Sequence, residues 1–215
     1  MLTLFDAHRD APSAPVLTFY DEARGFRMDF SALTLDNWAA KMGNFLIDEL
    51  DLSPGESIAV DVDSSWHRLV LLLGAAAAQL TVADAADPES EVLFQDSTRL
   101  DSAEERELIA VTIDGFGRSA AECGINIGEA LDLGAEVRLH GDHFPHPTQP
   151  LAQLYPEGTA ARILLRGEDP AADDRALAAI GAGGSAVVVA GGAPAERLAE
   201  IAAAEKALLD SPEAP

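Results

Sequence analysis

The chain is poor in three things, and each shortage excludes something. It has one cysteine, Cys123, among 215 residues. No intramolecular disulfide can form, and a disulfide-held scaffold, a Cys-based zinc site and an iron–sulfur cluster are ruled out. Positive charge is scarce: 14 Lys and Arg stand against 37 Asp and Glu, for a net charge of −23 at pH 7. Such a surface repels nucleic-acid phosphates and anionic lipid and speeds encounter with cationic partners, so neither nucleic acid nor a membrane is expected as a partner. Long apolar runs are missing too. The most apolar stretch, Leu69 to Leu80, is far shorter than the roughly 20 residues of a membrane span. The start, Met1-Leu2-Thr3-Leu4-Phe5-Asp6-Ala7-His8, has no cationic segment ahead of an apolar one, so the cytoplasm is the expected location. What remains is a chain with 48% hydrophobic residues, enough for one domain with a full core or two small ones.

Hydrophobic spacing predicts alternating strands and helices. Val16–Tyr20 and Phe26–Phe30 read as a hairpin closed by the loop 21–25. Leu35, Trp38, Ala39, Met42, Phe45, Leu46 and Leu50 recur at three and four, predicting a helix from Thr34 to Leu50 that Ser53-Pro54-Gly55 stops. A strand follows at 58–62, then a helix capped by Ser64 or Ser65 that is apolar on most sides from Trp66 to Ala78. Short strands are expected at Leu80–Ala83, Glu91–Gln95 and Leu108–Thr112, with a capping box at Ser102-Ala103-Glu104-Glu105 before the last. Between Gly115 and Pro156 the signals are weaker: a helix starting within Gly124–Leu131, a strand at Ala135–Leu139 and a Pro-containing linker from Pro145 to Pro156. The last third predicts a strand at Arg162–Arg166, a helix at Asp173–Ile180, a strand at Ser185–Val189 and a terminal helix from Pro194 to Leu209. The fold class is therefore α/β, a mainly parallel sheet flanked by helices. The expected division is an α/β region over 1–144 with the hairpin at its start, a connecting loop over 145–160, and a segment over 161–215 packed on the same sheet system.

Two segments gather groups that could bind or react. Asp61 and Asp63 sit near the C-terminal end of a strand, where open parallel sheets collect ligands, and with Ser64, Ser65 and His67 they are candidate ligand contacts. The bland alternative for them is helix capping and solvation. The second segment, His140-Gly141-Asp142-His143-Phe144-Pro145-His146, holds three of the five histidines. His140, Asp142, His143 and His146 are metal-ligand candidates by residue type, although the prolines deny a helix that would stack them on one face. A solvent-facing loop is the simpler reading there. The glycine-rich runs are weaker. Gly181-Ala182-Gly183-Gly184-Ser185 comes after a helix and before a strand, the reverse of a phosphate loop, and no Lys, Ser or Thr follows Gly191-Gly192-Ala193-Pro194 to engage a phosphate. Asp114-Gly115-Phe116-Gly117 reads as a turn, and the acidic neighbour of Cys123 disfavours a thiolate.

From Thr18 to about Ala85 the order of elements resembles the start of the adenylate-forming, AMP-binding acyl-CoA synthetase superfamily. The resemblance rests on Met28 to Leu35, Trp38 to Leu46, Leu52-Ser53-Pro54-Gly55-Glu56-Ser57-Ile58-Ala59-Val60 and Trp66 to Leu80. Pro54 and Gly55 fall at that family's Pro-Gly-Asp turn, with Glu56 in place of Asp. A second block, Leu177 to Val189 followed by Leu198 to Lys206, is similar to a later strand and helix of the family. The resemblance implies the N-terminal subdomain fold in truncated form, like that of certain short actinobacterial chains. It also marks departures. The family's Ser/Thr/Gly-rich phosphate loop ending in Lys-Gly has only Leu154-Tyr155-Pro156-Glu157-Gly158-Thr159-Ala160-Ala161 in its place, and the two lysines, Lys41 and Lys206, match no family position. The metal-binding Glu segment and the lid with a catalytic Lys lie beyond Pro215.

Three functions compete on this reading. The first is a non-adenylating relative of the acyl-CoA synthetases that binds a small ligand or a protein, with no cofactor expected and neither ATP nor CoA bound. The second is a metal-dependent or His/Asp acid–base enzyme using His140–His146. The third is a structural subunit that pairs with a second copy of itself through a helix face, which exposed apolar area on the Trp38 or Trp66 helix would favour.

Overall fold

A computed structural model describes residues 3–87, 89–101 and 106–210. In chain order its elements are β1 (Pro15–Asp21), β2 (Phe26–Ser31), α1 (Ala32–Asn44), β3 (Ser57–Asp61), α2 (Trp66–Ala78), β4 (Thr81–Ala83), β5 (Val92–Asp96), β6 (Glu107–Val111), α3 (Ala120–Cys123), β7 (Leu131–Asp132), α4 (Leu133–Glu136), α5 (Leu151–Leu154), β8 (Arg162–Arg166), α6 (Ala172–Gly181), β9 (Ser185–Ala190), α7 (Ala195–Glu205) and β10 (Leu208–Leu209). The chain forms an α/β fold with two mostly parallel sheets, in two compact units: residues 1–36 with 149–215, and residues 37–148.

This division differs from the one expected from sequence. The hairpin β1–β2 does not belong with the following α/β region, because β1 pairs in parallel with β9, Leu17 beside Ala186 through Asp21 beside Ala190. Strands β8, β9 and β10 build their own sheet around the hairpin, in the order β10-β8-β9-β1-β2, with only β2 antiparallel. Sequence spacing reveals strands but not their partners, and β1 and β9 are more than 160 residues apart. The expected linker at Pro145–Pro156 contains the single-turn helix α5.

In the first unit α7 buries Leu198, Ile201 and Ala202 against Leu164, Val187 and Val189. Its helix is shorter than expected: Lys206 takes a left-handed conformation, φ 52°, and Leu208 and Leu209 turn back to pair with Ile163 and Leu164 of β8. The free edge of β8 offers those backbone groups hydrogen bonds that a continued helix would not.

The second unit holds an all-parallel sheet in the order β4-β3-β5-β6-β7. Its helix α2 has ten of thirteen residues buried, matching its nearly all-apolar sequence, and Ser65 caps it by accepting from the Arg68 N–H at 3.1 Å. Helix α1 begins two residues before Thr34 and passes at Phe45–Glu49 into a wider π turn. Two expectations fail between 115 and 140. The helix lies before Gly124 rather than after it: Ser119 and Glu122 form a reciprocal capping box, and Gly124 at φ 69° ends the turn. Ala135–Leu139 is not a strand but α4 and a 3-10 turn, because the edge pairing with Ile109 and Ala110 is made earlier, by Leu131 and Asp132. The predicted capping box at Ser102–Glu105 falls outside the described residues. Among the described residues no helix is long and apolar enough to cross a membrane.

Candidate functional site

In the second unit, β3 leads through α2 to β4 on one side, while β5 continues to β6 on the other. The chain diverges between β3 and β5, and the crevice outside the carboxyl ends at such a point is where open α/β sheets hold ligands. Asp61 ends β3 here and Asp63 follows it, so the structure places both at the point that the sequence pattern suggested. Each carboxylate there already has a partner. Gln95 Nε2 donates to Asp61 Oδ2 at 3.0 Å, and Arg99 Nη2 lies 2.8 Å from Asp63 Oδ1 and 3.9 Å from Asp61 Oδ1. Gln95 in turn accepts from the Asp101 N–H, and Asp96 accepts from the Thr98 N–H and hydroxyl. Gln95 and Arg99 were missed by sequence reading; the polar run Gln95-Asp96-Ser97-Thr98-Arg99 at a strand end was the available signal. These pairs are half exposed, and solvent screening leaves them with little energy.

The remaining candidates of this group face elsewhere. The Ser64 hydroxyl oxygen is buried without a hydrogen-bond partner, Ser65 is spent on capping α2, and the His67 ring stacks on Trp66 with centroids 3.7 Å apart. Trp66 also meets Trp38 at 5.6 Å. Together these aromatics floor a pocket whose other wall is Val111, Thr112, Gly117, Arg118, Leu133 and Val137. Its cavity volume is only about 20 Å³. The pocket is an aromatic corner already filled by its own walls. The loop over it is rigidly built. Asp114 accepts from the N–H groups of Phe116 and Arg118, at 2.8 and 3.1 Å, and pairs with the Arg118 guanidinium at 2.7 Å. The Arg118 side-chain bond, outweighing burial and helped by those two N–H groups, holds the Asp114 carboxyl down at about 2. Gly117 supplies φ 67°, and a Cβ there would come within 3.0 Å of the Trp66 ring.

The His140–His146 segment is strapped down through its backbone rather than through its imidazoles. Lys41 Nζ donates to the His140 carbonyl at 2.7 Å, and Asn44 Nδ2 donates to the carbonyls of Gly141 and His143, both at 2.9 Å. Phe144 is buried against Gly43, whereas Asp142, His143 and His146 are exposed and His140 lies edge-on to Phe45. Among the described residues no three His, Cys, Asp or Glu side chains are grouped to hold a metal.

The first unit contains the stretch Leu154–Ala161, where the resembled family would carry its phosphate loop. A Cβ on Gly158 would lie 2.0 Å from the Ala178 carbonyl oxygen, so this glycine is pressed against the end of α6, while residues 154–157 before it line an open cleft with Asp174 and Arg175. Tyr155 beside it is pushed up to about 12, by burial first and then by Asp174 and Asp173. At the strand-to-helix turn after β9 the Gly192 N–H donates to Glu168 Oε1 at 2.7 Å. A carboxylate of the chain itself fills that position. The strongest ionic group of this unit, also missed by sequence reading, is structural: Glu205 accepts from Tyr20 at 2.7 Å, from Arg27 at 2.9 Å and from Arg162 at 2.7 Å. Burial opposes its ionisation, but those three donors outweigh it and bring the carboxyl down to about 2.

The same arrangement of strands and helices occurs in known proteins. A Brucella canis acyl-CoA synthetase superposes on 97% of this chain with a TM-score of 0.75 at 12% identity. The fold is that of the N-terminal region of the acyl-CoA synthetases. The acetoacetyl-CoA synthetase of Streptomyces lividans matches 92% of the chain, with a TM-score of 0.62 and 15% identity. The N-terminal subdomain of Klebsiella oxytoca NpsA, solved in complex with anthranilyl-AMSN, matches 95%, with a TM-score of 0.63 and 9% identity. This chain spans 47%, 40% and 56% of those three. By sequence it is 36% identical over 151 residues to a "TIGR03089 family protein" of Mycobacterium tuberculosis, covering 65% of this chain and 61% of that one. No protein-family model matches the chain.

Proposed function

We propose that this is a non-adenylating relative of the acyl-CoA synthetases that works by binding, chiefly to another protein in the cytoplasm, and that it uses neither ATP nor CoA. The observation that carries this reading is the way the phosphate-loop position is used. Gly158 packs on the Ala178 carbonyl, and at the opposite end of β9 the turn N–H of Gly192 is taken by Glu168. A triphosphate needs free N–H groups and positive charge, and at Gly158 and Gly192 the backbone is already taken up by the chain itself, in a chain of net charge −23. The candidate carboxylates support the same reading, since Asp61 and Asp63 are already engaged by Gln95 and Arg99. A protein partner is favoured over a small ligand in the aromatic pocket, because that pocket admits little more than one water. Of the two helix faces that would favour pairing of two copies, the one around Trp66 on α2 is covered, Trp66 being 3% exposed, while α1 exposes Leu33 at 44%.

The test is calorimetric titration of the purified chain with Mg-ATP. No binding is expected at millimolar nucleotide, and saturable binding would overturn the reading.

A further inference from the structure

We infer that the loop 114–118 and the turn 137–139 form a docking surface for a cationic, apolar-faced segment of a partner protein. This rests on the reading of the chain as a binding module and names the surface that does the binding. Phe116 and Leu139 are the most solvent-exposed large apolar side chains among the described residues, at 84% and 79%. They flank one feature, because Gly117 beside the first and Val137 close to the second line the same aromatic pocket.

Neither is exposed because its loop is loose. Asp114 holds the Phe116 N–H, the Arg118 N–H and the Arg118 guanidinium, and the Gly117 N–H donates to the Asp114 carbonyl at 3.1 Å. Leu139 follows Arg138, whose guanidinium donates to Glu122 and to the Gly134 carbonyl, both at 2.5 Å, and precedes His140, whose carbonyl Lys41 holds. A side chain kept in water by a fixed backbone is pre-organised for burial by a partner, with little ordering left to oppose binding.

Charge selects the partner. The segment 113–142 carries six carboxylates, those of Asp114, Glu122, Glu129, Asp132, Glu136 and Asp142, against Arg118 and Arg138, with Lys41 of α1 reaching the His140 carbonyl beside Leu139. Both arginines are already matched, to Asp114 and Glu122, and Glu129, Glu136 and Asp142 have no basic partner among the described residues. Two apolar knobs in an acidic field fit a helix or strand with an apolar stripe and lysine or arginine beside it. A second copy of a chain at −23 meets like charge instead.

The probe is a labelled helical peptide with leucine along one face and lysine on the other, titrated with the full chain at physiological salt and read by anisotropy. A scrambled peptide of the same composition removes the apolar face and keeps the charge. We expect the Phe116→Ser, Leu139→Ser double variant to lose about tenfold or more in affinity for the first peptide, and the scrambled peptide to bind as weakly to both proteins. Circular dichroism of the variant stays unchanged, since neither side chain is packed. Equal affinity of wild type and variant overturns the inference, as does equal binding of the two peptides. A wild-type dimer in sedimentation that the variant abolishes also overturns it, by assigning the patch to a second copy. Any of these leaves the Mg-ATP titration to decide the broader reading separately.

Discussion

Glu205 in the first unit and Asp63 in the second show two ways of spending charge. In the first, Glu205 on α7 gathers Tyr20, Arg27 and Arg162 around a side chain that is 12% exposed, joining the last helix to β1, β2 and β8 of one sheet. In the second, Asp63 and Arg99 meet at the carboxyl edge with 60% and 47% of their side chains in solvent. The sheets are alike in being mainly parallel, so topology alone does not distinguish them. Burial does. A charge held by several donors out of water stabilises a fold, whereas a half-solvated pair at a strand end leaves stability almost untouched and remains accessible to something outside. The Glu205 network is therefore the better locked of the two groups and the Asp63–Arg99 pair the more accessible, while Asp114, 11% exposed, gives the second unit a lock of its own.

Breaking the network should show the largest difference. Glu205→Ala leaves Arg27, Arg162 and Tyr20 without their shared acceptor and should cost about 3 kcal/mol in urea unfolding. The same carboxylate predicts acid sensitivity. Its folded value of about 2 lies below the ordinary 4.5, so its contribution is complete above 4.5 and is lost as pH falls toward 2. Glu205→Gln should flatten that part of the stability profile, and an unchanged acid limb would contradict the assignment.

Gly158→Ala comes next. The added methyl meets the Ala178 carbonyl at 2.0 Å and should lower stability by about 2 kcal/mol. A variant as stable as the parent would mean that the loop is free to open, which is what a phosphate site would require. The smallest effect belongs to the other unit: Asp63→Asn should change stability by less than about 0.5 kcal/mol. A loss approaching that of Glu205→Ala would erase the contrast between the two groups.

How much of this was readable beforehand depended on element length. The strands at 57–61, 162–166 and 185–190 and the helices at 66–78 and 172–181 carry enough residues for a period to appear, and sequence spacing locates them within a few residues. Between 115 and 140 the elements are two to four residues long, too short for any period. There the capping box at Ser119 and the left-handed Gly124 decided the structure. The candidate site was half legible. Asp61 and Asp63 could be placed at a strand end, but Gln95 and Arg99 lie 34 and 36 residues away from their partners, and Tyr20 lies 185 from Glu205. Such pairs follow from strand order, which spacing does not encode. Family resemblance supplied the fold of the N-terminal region, and the packing of Gly158 bears on chemistry that the resemblance left open.

The most direct measurement is ATP–pyrophosphate exchange by the purified full chain with a panel of carboxylic acids and Mg²⁺. If the chain binds without adenylating, no acid supports exchange above the rate of a protein-free control. Acid-dependent exchange that Gly158→Ala abolishes would contradict the account at its centre.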